Sequence, residues 1–283
     1  MLLKEFLKLT RFEHAIMLAV AVLIGETVVL GHMPKLTLSI ILSLFVPIFS
    51  EMGSFSLNDY LDVESDRINK KTDRPLVAGT IKPQFAFNFA CFAVIVSIAL
   101  SFFINFNAFL IAVVFNLLAI AYNYKLKDLP LVGNAYIALS MAIPFIFGNF
   151  VVSNELDVLA VLIALLGFLS GLAREIVKSV QDMEGDKKAR KSKTLPIIIG
   201  EKASLYSAAF LYMAFVPLTF LPFIYGLKQS INAILIVSLA DILIIYVIIS
   251  ITGSHNSKTM KKARNISLLA LFIGLVGYLV AVL

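Results

Sequence analysis

The sequence predicts an all-α integral membrane protein, with nine transmembrane helices in one bundle, and three features predict it. Hydrophobic residues make up 60% of the 283 residues and the mean hydropathy is +0.93, well above the apolar share of a water-soluble domain. Nine segments are apolar over about 20 residues, the length a helix needs to cross a hydrocarbon core about 30 Å thick. The cations are one-sided: with the N-terminus in the cytoplasm, all of the 24 Lys and Arg except Lys35 and Lys228 fall on that side.

The spans are expected at about 14 to 33, 36 to 57, 84 to 104, 107 to 124, 131 to 152, 156 to 181, 203 to 226, 231 to 252 and 265 to 283. The first is long, lacks a small-residue cleavage site and runs at once into a second span, so it reads as mature protein rather than a signal peptide. This topology puts the chain in the cell membrane as a multi-pass protein, with a cytoplasmic N-terminus, cytoplasmic long loops and an external C-terminus. Outer loops such as Asn105 to Asn107 are short, whereas the connections after the second and sixth spans run to about 20 residues, the kind of loop that carries function. No loop could bury a core of its own, so residues 1–283 are read as a single transmembrane domain. Pro47, Pro144, Pro217 and Pro222 fall inside spans, where each can kink a helix or simply serve local packing.

Some chemistries are excluded early. A lone Cys91 cannot form an internal disulfide, and three scattered histidines with one cysteine do not offer a zinc site. The cations are those of a membrane topology, so no nucleic-acid partner is expected.

Two acidic clusters stand at the ends of spans. Asn58-Asp59-Tyr60-Leu61-Asp62-Val63-Glu64-Ser65-Asp66 closes the second, and Asp182-Met183-Glu184-Gly185-Asp186 closes the sixth. On a helix Asn58, Asp62 and Asp66 form one ridge with Asp59 on its flank, and Asp182 and Asp186 form another. Ionised carboxylates are costly at a bilayer boundary, and two such rows facing each other would repel unless a dication lay between them. Ligands that are all oxygen suit Mg2+, which shares its shell with water and substrate phosphate. For either cluster alone, solvated helix-end charges are the competing account. Their joint occurrence, four spans apart, is what points to a metal and diphosphate site. Each cluster is followed by basic residues and then a proline, in Arg74-Pro75-Leu76 and Thr194-Leu195-Pro196, which suggests two four-helix halves plus one added helix.

Cations complete the pattern. Arg174, Lys178 and Asp182 share a helical ridge, while Arg11, Arg74 and the stretch Tyr122-Asn123-Tyr124-Lys125-Leu126-Lys127 also reach the cytoplasmic boundary. Such groups can neutralise a departing diphosphate, although positive-inside topology places many cations here for its own reasons. The interior offers 23 Phe and no Trp, a setting for an isoprenoid chain whose developing cation aromatic faces can stabilise. Glu26, Glu51 and Asp241 lie within spans, where cavity lining and pairing with neighbouring hydroxyls both stay open, and they are left out of the site.

These residues resemble a known family. The motifs Asn58-Asp59-x-x-Asp62-x-x-x-Asp66 and Asp182-x-x-x-Asp186, on the second and sixth of nine spans, resemble the UbiA superfamily of intramembrane prenyltransferases, as do Asp73-Arg74-Pro75-Leu76, Gly133-Asn134 and Lys193-Thr194-Leu195-Pro196. The resemblance implies that Mg2+ draws off the diphosphate of an allylic prenyl donor and that an acceptor captures the allyl cation. It assigns metal and diphosphate to Asn58, Asp62, Asp66, Asp182 and Asp186, with Asp59 in support, and phosphate contacts to Arg11, Arg74, Lys125 and Lys127. Many members carry Tyr-x-x-x-Lys, whereas Tyr122 here is followed by Lys125 and Lys127 at other spacings. Ala173-Arg174-Glu175-Ile176-Val177-Lys178 and Met17-Leu18-Ala19-Val20-Ala21-Val22 look most like the branch that adds geranylgeranyl to a lipid-phosphate acceptor of archaeal ether-lipid synthesis. Membrane lipids then surround both substrates.

Three rivals are weighed. A prenyltransferase for an aromatic quinone precursor shares the metal site and differs in the acceptor pocket. A CDP-alcohol phosphotransferase would resemble an Asp-Gly-x-x-Ala-Arg element that is missing here. A cation-coupled transporter would hold its ion near the midplane on interrupted helices, a role for which only Glu26 and Asp241 speak.

Overall fold

The computed structural model describes residues 2–68, 70–189, 194–253 and 256–283, with the side chains of Leu2 and of 184–189 outside the described set. The chain runs through α1 (Leu2–Thr10), α2 (Phe12–Leu30), α3 (Leu38–Leu61), α4 (Val63–Ile68), α5 (Pro83–Phe102), α6 (Phe106–Tyr124) and α7 (Val132–Val152). It continues through α8 (Val158–Ala189), α9 (Leu195–Ile199), α10 (Glu201–Leu218), α11 (Leu221–Ile224), α12 (Ile231–Gly253) and α13 (Ser257–Val282). Among the described residues there is no strand, and nine helical segments are long and apolar enough to cross a membrane, as expected.

The observed spans follow the predicted ones closely, and the departures have local causes. α13 starts at Ser257 rather than about 265, because Asn256 caps it by accepting from the Thr259 N–H at 2.8 Å. Lys258, Lys261, Lys262 and Arg264 ride its first turns on apolar stems, so charge does not end the helix. Pro222 falls inside the seventh span, Glu201–Ile224, where the helix is interrupted just ahead of it. α10 ends at Leu218, and Pro222 sits in the first turn of α11, where a missing N–H costs no hydrogen bond.

The chain forms two compact units, residues 1–23 with 34–127 and residues 24–33 with 128–283, so the division falls inside α2 and α13 goes with the second unit. In the first unit α3 packs against α5 and α6, and α1 packs against α3. Ala86, Ala90, Ala93, Ser97 and Ser101 are buried on α5, while Phe92, Ile95 and Phe102 stay exposed. That inverts the soluble rule, because lipid gives no reward for hiding large apolar side chains and helices instead gain from close backbone approach. A Cβ added at Gly53 of α3 would lie 3.2 Å from Ala93 Cβ. Hydrogen bonds reinforce the contact: Ser97 Oγ donates to the Val46 carbonyl at 3.0 Å beside Pro47, and Ser50 Oγ donates to Asn116 Oδ1 at 3.1 Å.

In the second unit α8 packs against α7, α10 and α13, and α12 packs against α13. Here too small residues meet: a Cβ added at Gly277 of α13 would come 2.7 Å from Val237 Cγ2 of α12, so alanine there would push the helices apart. Asp241, the acid predicted in the eighth span, accepts from Thr219 Oγ1 at 2.9 Å, and Tyr278 donates to the Thr219 carbonyl at 2.7 Å. It thus ties α12 and α13 to the end of α10. Glu26 is fully buried in α2, and Glu51 is half-buried within electrostatic reach of Arg11.

Candidate active site

The first acidic motif lies where α3 gives way to α4. Asp62 breaks the helix with φ −91° and ψ 0°, yet the Asp62 N–H still reaches the Asn58 carbonyl at 2.9 Å and the Asp66 N–H reaches the Asp62 carbonyl at 2.8 Å. The predicted ridge therefore survives as an i to i+4 succession across a break that the sequence reading did not expect. Its carboxylates are buried, with Asp66 1%, Asp59 4% and Asp62 8% exposed. Buried carboxylates need cations, and each has one.

The chain after α4 folds back to provide two of them. The Lys71 N–H donates to the Asp66 carbonyl at 3.0 Å, which brings Lys71 Nζ to 3.2 Å from Asp66 Oδ1. One Arg74 nitrogen then lies 2.6 Å from Asp66 Oδ2 and 2.8 Å from Asp59 Oδ1, so a single guanidinium joins two carboxylates. Arg11 reaches Asp59 Oδ1 at 3.4 Å and sits 4.2 Å from the centre of the Phe55 ring, a cation-π contact. Its backbone takes φ +44° at the turn between α1 and α2, which costs a residue with a Cβ about 1 kcal/mol. The sharp turn lets α2 start while the side chain reaches α3. Burial pushes the Arg11 pKa down and Asp59 pulls it up; an arginine remains a cation through such shifts.

A 3-10 turn sets the two lysines apart. Lys125 ends α6 and is exposed, whereas the turn Leu126–Asp128 swings Lys127 inward to 2.6 Å from Asp62 Oδ1. Asn58 donates to Asp62 Oδ2 at 3.2 Å and to Asn123 Oδ1 at 3.0 Å, which commits its amide nitrogen and leaves Oδ1 as its acceptor face. Asn123 is held in turn by the carbonyls of Ser54 and Ala119. Tyr122 is half-buried on the same last turn of α6.

The second motif sits in another setting. α8 runs unbroken through it, and Asp182 is exposed. Asp186 belongs to the same helix, but its side chain lies outside the described residues. Arg174 and Lys178 were expected to line the approach to Asp182; instead they bind Glu175, at 3.0 and 3.1 Å. Glu175 is buried and was not singled out by the sequence reading, although an acid within three residues of two cations near a span end is a readable signal. Lys71 and Asn123 were also missed. For Asn123 the signal was its spacing from Asn116, one face of α6 opposite Ser50 and Ser54.

Among the described residues no three acidic, His or Cys side chains gather as a metal cage. The first motif nevertheless fits a hard dication. Both Asp66 oxygens are buried and, although ion-paired, accept no aligned hydrogen bond among the described residues, so acceptor capacity is left over. Asn58, Asp62 and Asp66 offer oxygen alone, the donor set of Mg2+ rather than of a soft metal.

Comparison with known proteins converges on one family. The family model for the UbiA prenyltransferase family matches residues 14–276. A digeranylgeranylglyceryl phosphate synthase of Archaeoglobus fulgidus is 35% identical over 286 residues, covering 98% of this chain and 96% of that one. A solved structure from work on digeranylgeranylglyceryl phosphate synthase in membranes superposes with a TM-score of 0.82 at 33% identity, over 99% of this chain and 98% of the other. A UbiA homologue of Archaeoglobus fulgidus bound to GPP and Mg2+ shares the fold, with a TM-score of 0.68 at 22% identity over 97% and 99% of the two chains. With a match that spans eight of the nine apolar helices whole or nearly so, and with relatives aligned end to end, the chain belongs to the UbiA prenyltransferase family and is a multi-pass membrane enzyme.

Proposed function

We propose that this prenyltransferase moves a geranylgeranyl group from geranylgeranyl diphosphate to the glycerol hydroxyl of geranylgeranylglyceryl phosphate, forming the second ether bond of an archaeal membrane lipid and releasing diphosphate. The observation that carries this reading is the end-to-end similarity, at 35% identity, to a protein named for that synthesis. In the reaction the allylic carbon-oxygen bond breaks and its electron pair leaves with diphosphate. The hydroxyl oxygen then bonds to the allylic carbon and its proton passes to solvent. An allyl cation is a strong electrophile, so no powerful general base is needed.

Bound Mg2+ would draw negative charge onto the diphosphate oxygens, with Asn58, Asp62, Asp66, Asp182 and Asp186 as its ligands. Arg11, Arg74 and Lys127 would donate to the phosphate oxygens, a role supported by their places on Asp59, Asp66 and Asp62. Asp59 keeps Arg11 and Arg74 pointed in one direction. Tyr122, Lys125, Arg174 and Lys178 complete the substrate contacts of this reading. The site faces the cytoplasm, the N-terminus lies on the same side and the C-terminus lies outside, as the distribution of Lys and Arg favours.

The test is direct. The purified chain, given labelled geranylgeranyl diphosphate, Mg2+ and geranylgeranylglyceryl phosphate, should form the diether and lose activity when the metal is chelated. Product with an aromatic acceptor alone, or full activity in Asp62→Ala and Asp182→Ala, would refute it.

A further inference from the structure

Inside the second unit, α8, α10 and α13 bring together a polar cluster that the diphosphate chemistry does not use. Arg264 of α13 donates to Gln181 Oε1 at 2.7 Å, and among the described residues no carboxylate lies within ion-pair distance of it. Its guanidinium is within electrostatic reach of Arg174, Glu175, Asp182 and Tyr212. Among the described residues the buried Nε–H groups of Arg264 and Arg174 have no hydrogen-bond partner. Tyr212 of α10 is fully buried; its hydroxyl lies beside Ser267 but in no aligned hydrogen bond.

Three donor groups thus lie within electrostatic reach of one another and of one buried acid, Glu175, already occupied by Arg174 and Lys178. A half-buried guanidinium whose Nε is buried and whose hydrogen bond goes to a neutral amide is a costly arrangement for stability alone. Unspent donors in such a place are the pattern of an anion site whose anion comes with the substrate. The cluster is open on one edge: Arg174 is 17% and Lys178 41% exposed, and Asp182, itself exposed, stands one α8 turn beyond Lys178.

We propose that Arg264, Arg174 and Tyr212 form the recognition site for the phosphate monoester of the lipid acceptor, and so set the preference for a phosphorylated glycerol over a neutral one. The inference rests on the functional reading above. Arg174 and Arg264 would donate through their guanidinium groups, Tyr212 through its hydroxyl, and Glu175 would hold the Arg174 plane in place. A site built from donors penalises an acceptor without the phosphate, because the donors then stay unpaired in a desolvated pocket.

Arg264→Gln and Tyr212→Phe in the full-length enzyme test this, with geranylgeranyl diphosphate and Mg2+ held constant in a neutral detergent. The acceptors are geranylgeranylglyceryl phosphate and its dephosphorylated alcohol. Wild type should prefer the phosphorylated acceptor strongly. In Arg264→Gln that preference should fall by about 100-fold, through acceptor KM, with the donor KM and turnover of the neutral alcohol little changed. Tyr212→Phe should lower it by about tenfold. Equal losses on both acceptors, or an undiminished preference, overturn the proposal. Glycerol phosphate alone should raise the melting temperature of wild type and not of Arg264→Gln, whereas an equal shift in both also overturns it. An anionic phosphodiester lipid that protects as well as glycerol phosphate would assign the cluster to membrane lipid and overturn it too. Failure of wild type to use the phosphorylated acceptor would sink the functional reading itself; wild-type turnover with an unchanged Arg264→Gln preference sinks only the acceptor site.

Discussion

The two aspartate motifs are spelled alike and built differently. At the first, α3 breaks at Asp62 and the chain doubles back, so Lys71, Arg74, Arg11 and Lys127 close on three buried carboxylates. At the second, α8 runs on without a break, Asp182 is exposed, and the nearby cations are held by Glu175 one turn or more earlier. A four-residue repeat therefore specifies a ridge, while the path of the backbone beyond it decides whether the ridge is buried and neutralised or left open. The first motif doubles as a structural joint, whereas Asp182 of the second is exposed.

Removing the acids should expose that contrast most strongly. Asp62→Ala and Asp182→Ala are each expected to lower turnover by about 10⁴-fold, measured as product from labelled donor. Their melting curves should differ, because Asp62→Ala leaves Lys127 buried without its partner and Asp182→Ala uncovers nothing. Asp62→Ala should be the most destabilising of the three, by about 3 kcal/mol, and Asp66→Ala should cost less, since Arg74 keeps Asp59 and Lys71 is 43% exposed. Equal melting of all three variants and wild type would erase the distinction between a joint and an open row.

Smaller effects should follow for groups that orient rather than ligate. Asp59→Asn loosens Arg11 and Arg74 together and should raise the donor KM by about 30-fold while Mg2+ dependence persists. Lys127→Ala should cost about tenfold in kcat/KM and Lys125→Ala less than about twofold; the reverse order would show that the 3-10 turn is rearranged when substrate binds. Glu175→Gln, which releases Arg174 and Lys178 without touching an aspartate of either motif, should change donor kinetics by no more than about threefold.

Much of this was legible from composition and spacing. Spans are read from apolar length, and lipid permits no unsatisfied backbone, so a long apolar run can only be a helix. Arg11, Arg74 and Lys127 were named before any geometry was known, and each lies on a carboxylate of the first motif. That Lys127 rather than Lys125 faces the first motif was not legible, because the three-residue 3-10 turn Leu126–Asp128 sets it. Nor was the destination of Arg174 and Lys178: their ridge with Asp182 is real, but Glu175 lies nearer and buried, so the stronger field takes them.

The sequence by itself determined the class of protein, the number and position of its spans, the two motifs and the family to which they belong. Those depend on hydrophobic length, periodicity and residue type, which are properties of a chain segment taken alone. Only the tertiary structure decided which cation answers which carboxylate, that Asp62 ends a helix, and that Arg264, Arg174 and Tyr212 come within electrostatic reach across three helices. Electrostatic pairing depends on distance and burial, and residues as far apart in the chain as Arg174 and Arg264 acquire both only when the helices that carry them pack.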